Sequence, residues 1–148
     1  MASARALALR LLGRRDYTTA ELRKKLTDRE IDAQEIDAAL ESLAADGALD
    51  DRRAAATHIR VATRAKSRGR LRIQQELQAR GVDRALIHEL LASLPAADEA
   101  ENVHQFLCRR NIPAQLNMAD RRRVFQQLLR RGFTADVIAK ALKTREDE

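Results

Sequence analysis

The chain has 148 residues, 28 of them basic and 22 acidic, giving a net charge of +6. That length suits one ordinary domain or a short array of small repeats, and 45% hydrophobic residues supply a core, which excludes wholesale disorder. No apolar run approaches the ~18–20 residues of a membrane span, and one cysteine, Cys108, excludes a cystine scaffold.

Apolar residues recur at three- and four-residue steps throughout, with no sustained strand alternation, so the spacing predicts an all-α protein. Leu7, Leu11 and Leu12 mark a first helix over 3–14, and Thr18-Thr19-Ala20-Glu21 is a capping box that opens a second. From there one apolar pattern is written three times at a period of 51 residues. Leu22, Leu26, Ile31, Ile36 and Leu40 become Ile73, Leu77, Val82, Ile87 and Leu91, then Val124, Leu128, Phe133, Ile138 and Leu142. A fixed period of this size marks repeated supersecondary units.

Each copy describes a helix, a tight turn and a second helix. In Arg80-Gly81-Val82 and Arg131-Gly132-Phe133 the glycine is expected to close the helix in the left-handed conformation. The first copy has Glu30 in the glycine slot, where left-handed backbone costs about 1 kcal/mol, so a different turn is expected there. Asp32 (with Glu35 three residues on), Asp83 and Thr134 are the caps of the following helices. A further helix precedes each pair: 51–66, which Asp50-Asp51 caps and Gly69 ends, and 98–110, with Val103, Phe106 and Leu107. The expected architecture is three tandem three-helix repeats, 1–49, 50–95 and 96–148, about nine short helices in an elongated and modular chain.

The charge is unevenly spread. Residues 1–49 hold 8 basic and 9 acidic side chains, 50–95 hold 10 and 5, and 96–148 hold 10 and 8. Arg60, Arg64, Lys66, Arg68, Arg70 and Arg72 lie in a stretch free of acids and form the expected electropositive contact set, with Arg121, Arg122 and Arg123 second. Tyr17, Phe106, Phe125 and Phe133 are the only aromatics, and the three Phe occupy core positions, so a nucleic-acid contact would lean on phosphates rather than stacked bases.

Catalytic constellations are lacking. Glu101, His104 and Cys108 share a helix face, but a structural metal site wants four ligands and no second cluster exists, so Cys108 is expected to be a buried small hydrophobe. His58 and His88 are isolated helical residues. No GxSxG, HExxH or GxxxxGK[ST] sequence occurs, and neither enzyme activity, metal nor cofactor is expected. Groove reading by the helix pairs is disfavoured by second helices that are Ala-rich or short.

The sequence resembles the RecX family of recombination regulators along nearly its whole length. The resemblance is carried by Ala6-Leu7, Leu11-Leu12, Arg15, Tyr17-Thr18, Glu21-Leu22 and Lys25-Leu26. It continues with Leu43, Asp46-Gly47, Leu49-Asp50-Asp51, Gly69, Ile73, Glu76-Leu77, Gly81-Val82, Leu128, Arg130-Arg131-Gly132-Phe133 and Ile138. The chain departs from the family pattern at Ala54 and His58, where aromatics are usual, at Arg70 in place of proline after Gly69, and at Glu30. The resemblance implies a non-enzymatic protein that binds the RecA recombinase filament on single-stranded DNA and restrains its ATPase and strand exchange. The runner-up reading is a DNA-binding protein acting through phosphates without sequence preference. The N-terminal stretch has no signal-peptide cleavage site and the single cysteine fits a reducing compartment, so a cytoplasmic location is expected, and with no self-complementary apolar stripe a monomer is expected.

Overall fold

All regular structure in the computed structural model, which describes residues 3–148, is helical. Met1 and Ala2, at the head of the stretch read for a signal peptide and of the first expected repeat, lie outside the described residues. The helices are α1 (Ala4–Leu12), α2 (Thr19–Asp28), α3 (Ala33–Asp46), α4 (Asp51–Arg64), α5 (Arg70–Ala79), α6 (Arg84–Ala92), α7 (Ala96–Arg109), α8 (Met118–Arg130) and α9 (Ala135–Asp147). Fourteen of the fifteen residues of the 51-residue pattern are buried, and the remaining one, Ile31, packs half-buried on the core. The repeat in the sequence is therefore a repeat in what each helix buries.

Two compact units form. One holds the described residues up to Thr57 with Leu77–Ile87, the other His58–Glu76 with His88–Glu148. In the first, Leu22 and Leu26 of α2 meet Ile36, Leu40 and Leu43 of α3, and Ala4 and Ala8 bring α1 against them. In the second, Val103, Phe106 and Leu107 of α7 close over Val124 and Leu128 of α8 and Ile138 and Leu142 of α9, with Phe133 fully buried at the centre. Removing one such large side chain costs about 2–5 kcal/mol.

The helix ends obey the expected chemistry with two corrections. Thr18 closes the capping box: its hydroxyl accepts from the Glu21 amide at 3.1 Å and its own amide donates to Glu21 Oε1 at 2.9 Å. Asp50 caps α4 by accepting from the Arg53 amide, and Thr134 caps α9. Asp32 also caps α3, but Glu35 does not complete a box; it accepts from the Ala4 amide instead and so holds the start of α1. The turn at Glu30 is the same left-handed one made by Gly81 and Gly132, with φ of 61° against 81° and 96°. The expected alternative turn is overruled because the Ile31 amide returns to Leu26 O and Ile31 packs on the core, so two anchors hold Glu30 in place.

Cys108 also departs from expectation. It is exposed on α7, with Sγ 3.5 Å from His104 Nε2, because Phe106 and Leu107 take the two inward positions of that turn.

Backbone strain at these turns is measurable. Glu30→Gly relieves a left-handed side chain on an exposed residue and should raise the unfolding free energy by roughly 0.5–1 kcal/mol in a denaturant titration. Gly132→Ala should lower it by more, since a Cβ there would stand 2.4 Å from both Cβ and N of Arg72.

Candidate functional site

Helices α2 and α5 each begin where another helix ends, and this is what assembles the site. A helix leaves unsatisfied N–H groups at its start and unsatisfied carbonyls at its end. In the first unit, the Thr18 hydroxyl at the start of α2 donates to Arg80 O at 2.5 Å, just past the end of α5. In the second unit, the Gly69 amide at the start of α5 donates to Arg131 O at 2.8 Å, and the Leu71 amide to Gly132 O at 3.0 Å. An acid caps the next amide in each case: Asp51 accepts from Thr19 N at 2.7 Å, and Glu99 accepts from Arg70 N at 2.8 Å. The approach is so close that a Cβ on Gly69 would lie 2.3 Å from the Gly132 carbonyl carbon.

Both junctions end on the carbonyl of an arginine, but the side chain that meets that arginine differs. At the first junction, Arg80 Nη2 meets Glu21 Oε1 at 3.0 Å and Nε meets the same oxygen at 3.2 Å. Burial pushes the Glu21 carboxyl up, but the Arg80 hydrogen bond, the Thr18 amide and the charges of Arg80 and Arg15 outweigh it, leaving a net depression. At the second junction, Arg131 follows Arg80 by one repeat, and the position of Glu21 is filled by Arg72. Burial, then the charges of Arg110, Arg72 and Arg68, hold the Arg131 guanidinium below its ordinary value.

The result is an open cavity of about 580 Å³ whose lining carries Lys66, Arg68, Arg72, Arg109, Arg110, Arg130 and Arg131 and no acidic residue. Arg131 is fixed there by donating to Lys66 O at 2.9 Å, and Arg110 and Arg131 lie 5.0 and 4.6 Å from the ring centre of buried Phe106. Ser67, buried and left-handed at φ 47°, turns the chain between Lys66 and Arg68. Glu76, which is outside the lining, pairs with Arg68 and approaches Arg72 at 3.9 Å and His58 at 3.3 Å.

The expected contact residues therefore divide. Lys66, Arg68 and Arg72 line the cavity. Arg64 and Arg70 instead line a hollow shared with Asp98, Glu99 and Glu101, and Arg70 donates to the carbonyls of Leu91 and Leu94, so it is a structural clasp. Arg60 is exposed on α4, outside both linings. On α8, Arg121 is paired with Glu146, Arg123 lies 3.6 Å from Asp120, and Arg122 is exposed. Sequence reasoning missed Arg109, Arg110, Arg130 and Arg131. Their signal was two arginine doublets placed at the ends of α7 and α8, where helix termini converge. Among the described residues, no group of three or more His, Cys, Asp or Glu is placed to hold a metal ion, and no helix is long and apolar enough to cross a membrane.

Comparison with known proteins gives the family and the fold. Residues 4–43 match the family model of the RecX first three-helix domain, and residues 50–91 match that of the second. The regulatory protein RecX of Trichlorobacter lovleyi is 40% identical over 135 residues, covering 88% of this chain and 88% of its own. The chain belongs to the RecX family. A further RecX relative, from Halorhodospira halophila, is 37% identical over 146 residues, covering 97% of this chain and 89% of its own. Both relatives are named as regulatory proteins rather than as enzymes. The fold is shared with the crystal structure of RecX from Lactobacillus salivarius, at a TM-score of 0.86 and 19% identity over 98% of this chain and 96% of that one. A second RecX crystal structure gives a TM-score of 0.82 at 22% identity, over 98% of this chain and 70% of that one.

The ion pair of the first junction has a definite pH signature. Glu21→Gln keeps a capping side chain but removes the charge, and should cost about 1 kcal/mol at neutral pH, allowing for solvent screening. Because folding depresses the Glu21 pKa, its contribution is complete above the ordinary carboxylate value and is lost as pH falls through the folded one. Unfolding free energies of parent and variant measured from pH 7 to pH 3 should accordingly converge on the acid side.

Proposed function

We propose that this chain binds the RecA recombinase filament on single-stranded DNA and restrains its ATPase and strand exchange, acting in the cytoplasm as a monomeric, non-enzymatic regulator of three repeats, 1–49, 50–95 and 96–148. The observation that carries the reading is the cavity at the second junction: seven cations converge there with no lining acid, in a chain of a family named for regulation. Concentrated positive charge selects an acidic partner and speeds encounter with it. A nucleoprotein filament presents such a partner as acidic side chains, as DNA, or as both.

Support also comes from what the fold spends on the site. Arg131 is kept among Arg68, Arg72 and Arg110, whereas Glu21 neutralises its counterpart at the first junction. Clustered like charges destabilise a folded protein, so a partner that neutralises them gains that energy on binding.

Adding the protein at substoichiometric ratio to RecA assembled on single-stranded DNA should slow ATP hydrolysis, and the double variant Arg109→Glu/Arg130→Glu should need at least ~10-fold more protein for the same effect. Unchanged ATP turnover at equimolar parent protein refutes the reading.

A further inference from the structure

Residues 1–49 carry one more acid than base, yet four of their cations converge on a single hollow. Arg10 and Arg14 stand four residues apart at the close of α1, and Lys25 and Arg29 four residues apart at the close of α2. The space they share is about 290 Å³ and has no acidic residue in its lining. Acids of this unit pair with other arginines: Asp46 with Arg5, Glu21 with Arg15 and Asp37 with Arg23. Among the described residues, Arg10, Arg14, Lys25 and Arg29 have no ion pair. Like charges gathered without a counter-ion raise the local potential, and an anion placed among them gains the most.

The floor is apolar. Leu7, Leu11, Tyr17 and Leu26 complete the lining, buried or half-buried where the four cations are exposed. Arg15 stacks on the Tyr17 ring at 3.8 Å and also pairs with Glu21, which fixes the ring in place. A nucleic-acid base would bring hydrogen-bonding edges to this floor, where Leu7, Leu11 and Leu26 offer them no partner. A bilayer surface would need apolar side chains that reach outward, whereas these are recessed among charges. The volume lies just under the ~300–1,000 Å³ of drug-sized ligand sites, which fits one large side chain rather than an acyl chain. Recognition of acidic segments by clustered arginines is a recurring mode of peptide binding.

The repeat supplies an independent comparison. Ala4 and Ala8 of α1 recur 51 residues on as buried Ala55 and Ile59 of α4, so the register of the repeat extends through these helices. At the same shift Arg10, Arg14 and Lys25 become Val61, Ala65 and Glu76, and Arg29 becomes Arg80, which is bound to Glu21. The second repeat thus keeps the helices without the four unpaired cations, and the fold does not require them.

We propose that this hollow is a docking site for an acidic peptide segment of a partner protein. One large apolar side chain of the segment enters the floor, and its flanking carboxylates meet Arg10, Arg14, Lys25 and Arg29. The site goes beyond the filament reading and does not depend on it.

The test is titration of the full-length protein, without recombinase, into fluorescein-labelled peptides at low salt, followed by anisotropy. The peptide Glu-Glu-Asp-Leu-Asp-Glu-Glu should bind saturably, and the same peptide with serine for leucine at least ~10-fold more weakly. Arg10→Glu/Arg14→Glu and Lys25→Glu/Arg29→Glu should each weaken leucine-peptide binding at least ~10-fold, whereas Lys140→Glu/Lys143→Glu, an equal charge change on exposed α9 positions, should alter it far less. Arg10→Gln/Arg14→Gln should fall between parent and reversal, which separates lost charge from lost fold. Failure of the leucine peptide to bind, equal binding of the two peptides, or an equal loss in the α9 control overturns the proposal. So does tighter binding of a labelled oligothymidine that depends on the same four cations, which makes the occupant a nucleic acid. Because recombinase is absent, each of these failures leaves ATPase inhibition standing, and loss of ATPase inhibition leaves the peptide site standing.

Discussion

The contact on which most else depends is a hydrogen bond from the start of one helix to the carbonyl at the end of another. Gly69 N to Arg131 O and Thr18 Oγ1 to Arg80 O are the same junction, made once in each unit. Each satisfies a carbonyl left over at a helix end, the first with the hydroxyl of an N-cap threonine and the second with an orphan backbone amide. The arginine whose carbonyl is used is thereby placed beside the first turn of the receiving helix, and the residue there decides its electrostatic fate. Glycine at 81 and 132 is part of the same device. Its left-handed backbone exposes the carbonyl, and its missing side chain permits the approach.

Seen through this junction, the positive charge of the protein acquires a location. At the first junction, Glu21 meets Arg80, and the ion pair serves stability. At the second, Arg72 stands in the acid's place, and the arginines of α7 and α8 join it around one cavity. The fold thus uses one architecture for two ends: a neutralised seam in one unit and a concentrated cationic site in the other.

Much of this was legible in the sequence, because burial at helical spacing is local information. The 51-residue recurrence of Leu22, Ile73 and Val124 and their companions identified the helix pairs, and the glycines at 81 and 132 identified two of the three turns. Glu30 misled because propensity is a local cost, and the packing of Ile31 together with its amide bond to Leu26 exceeds it. Cys108 misled because its type favours burial while its position on α7 points outward.

The site was legible only by half. Lys66, Arg68 and Arg72 stand close together in the sequence, so clustering along the chain found them. Arg109, Arg110, Arg130 and Arg131 come from helix ends that only tertiary contact unites with that segment. Conversely, Arg70 belongs to the same run of charge, yet it is spent on the carbonyls of Leu91 and Leu94. A linear run of charge marks where cations begin, not where their side chains go.

The central claim is that arginine at position 72, in place of the acid of the earlier repeat, serves partner binding rather than stability. The most direct measurement is the paired effect of Arg72→Glu on unfolding free energy and on inhibition of the recombinase filament. The account predicts a variant as stable as the parent, since the carboxylate gained by Arg131 offsets the lost Arg72–Glu76 contact, and one that inhibits ATP hydrolysis at least ~10-fold less effectively. A variant that is less stable, or that inhibits as well as the parent, contradicts it.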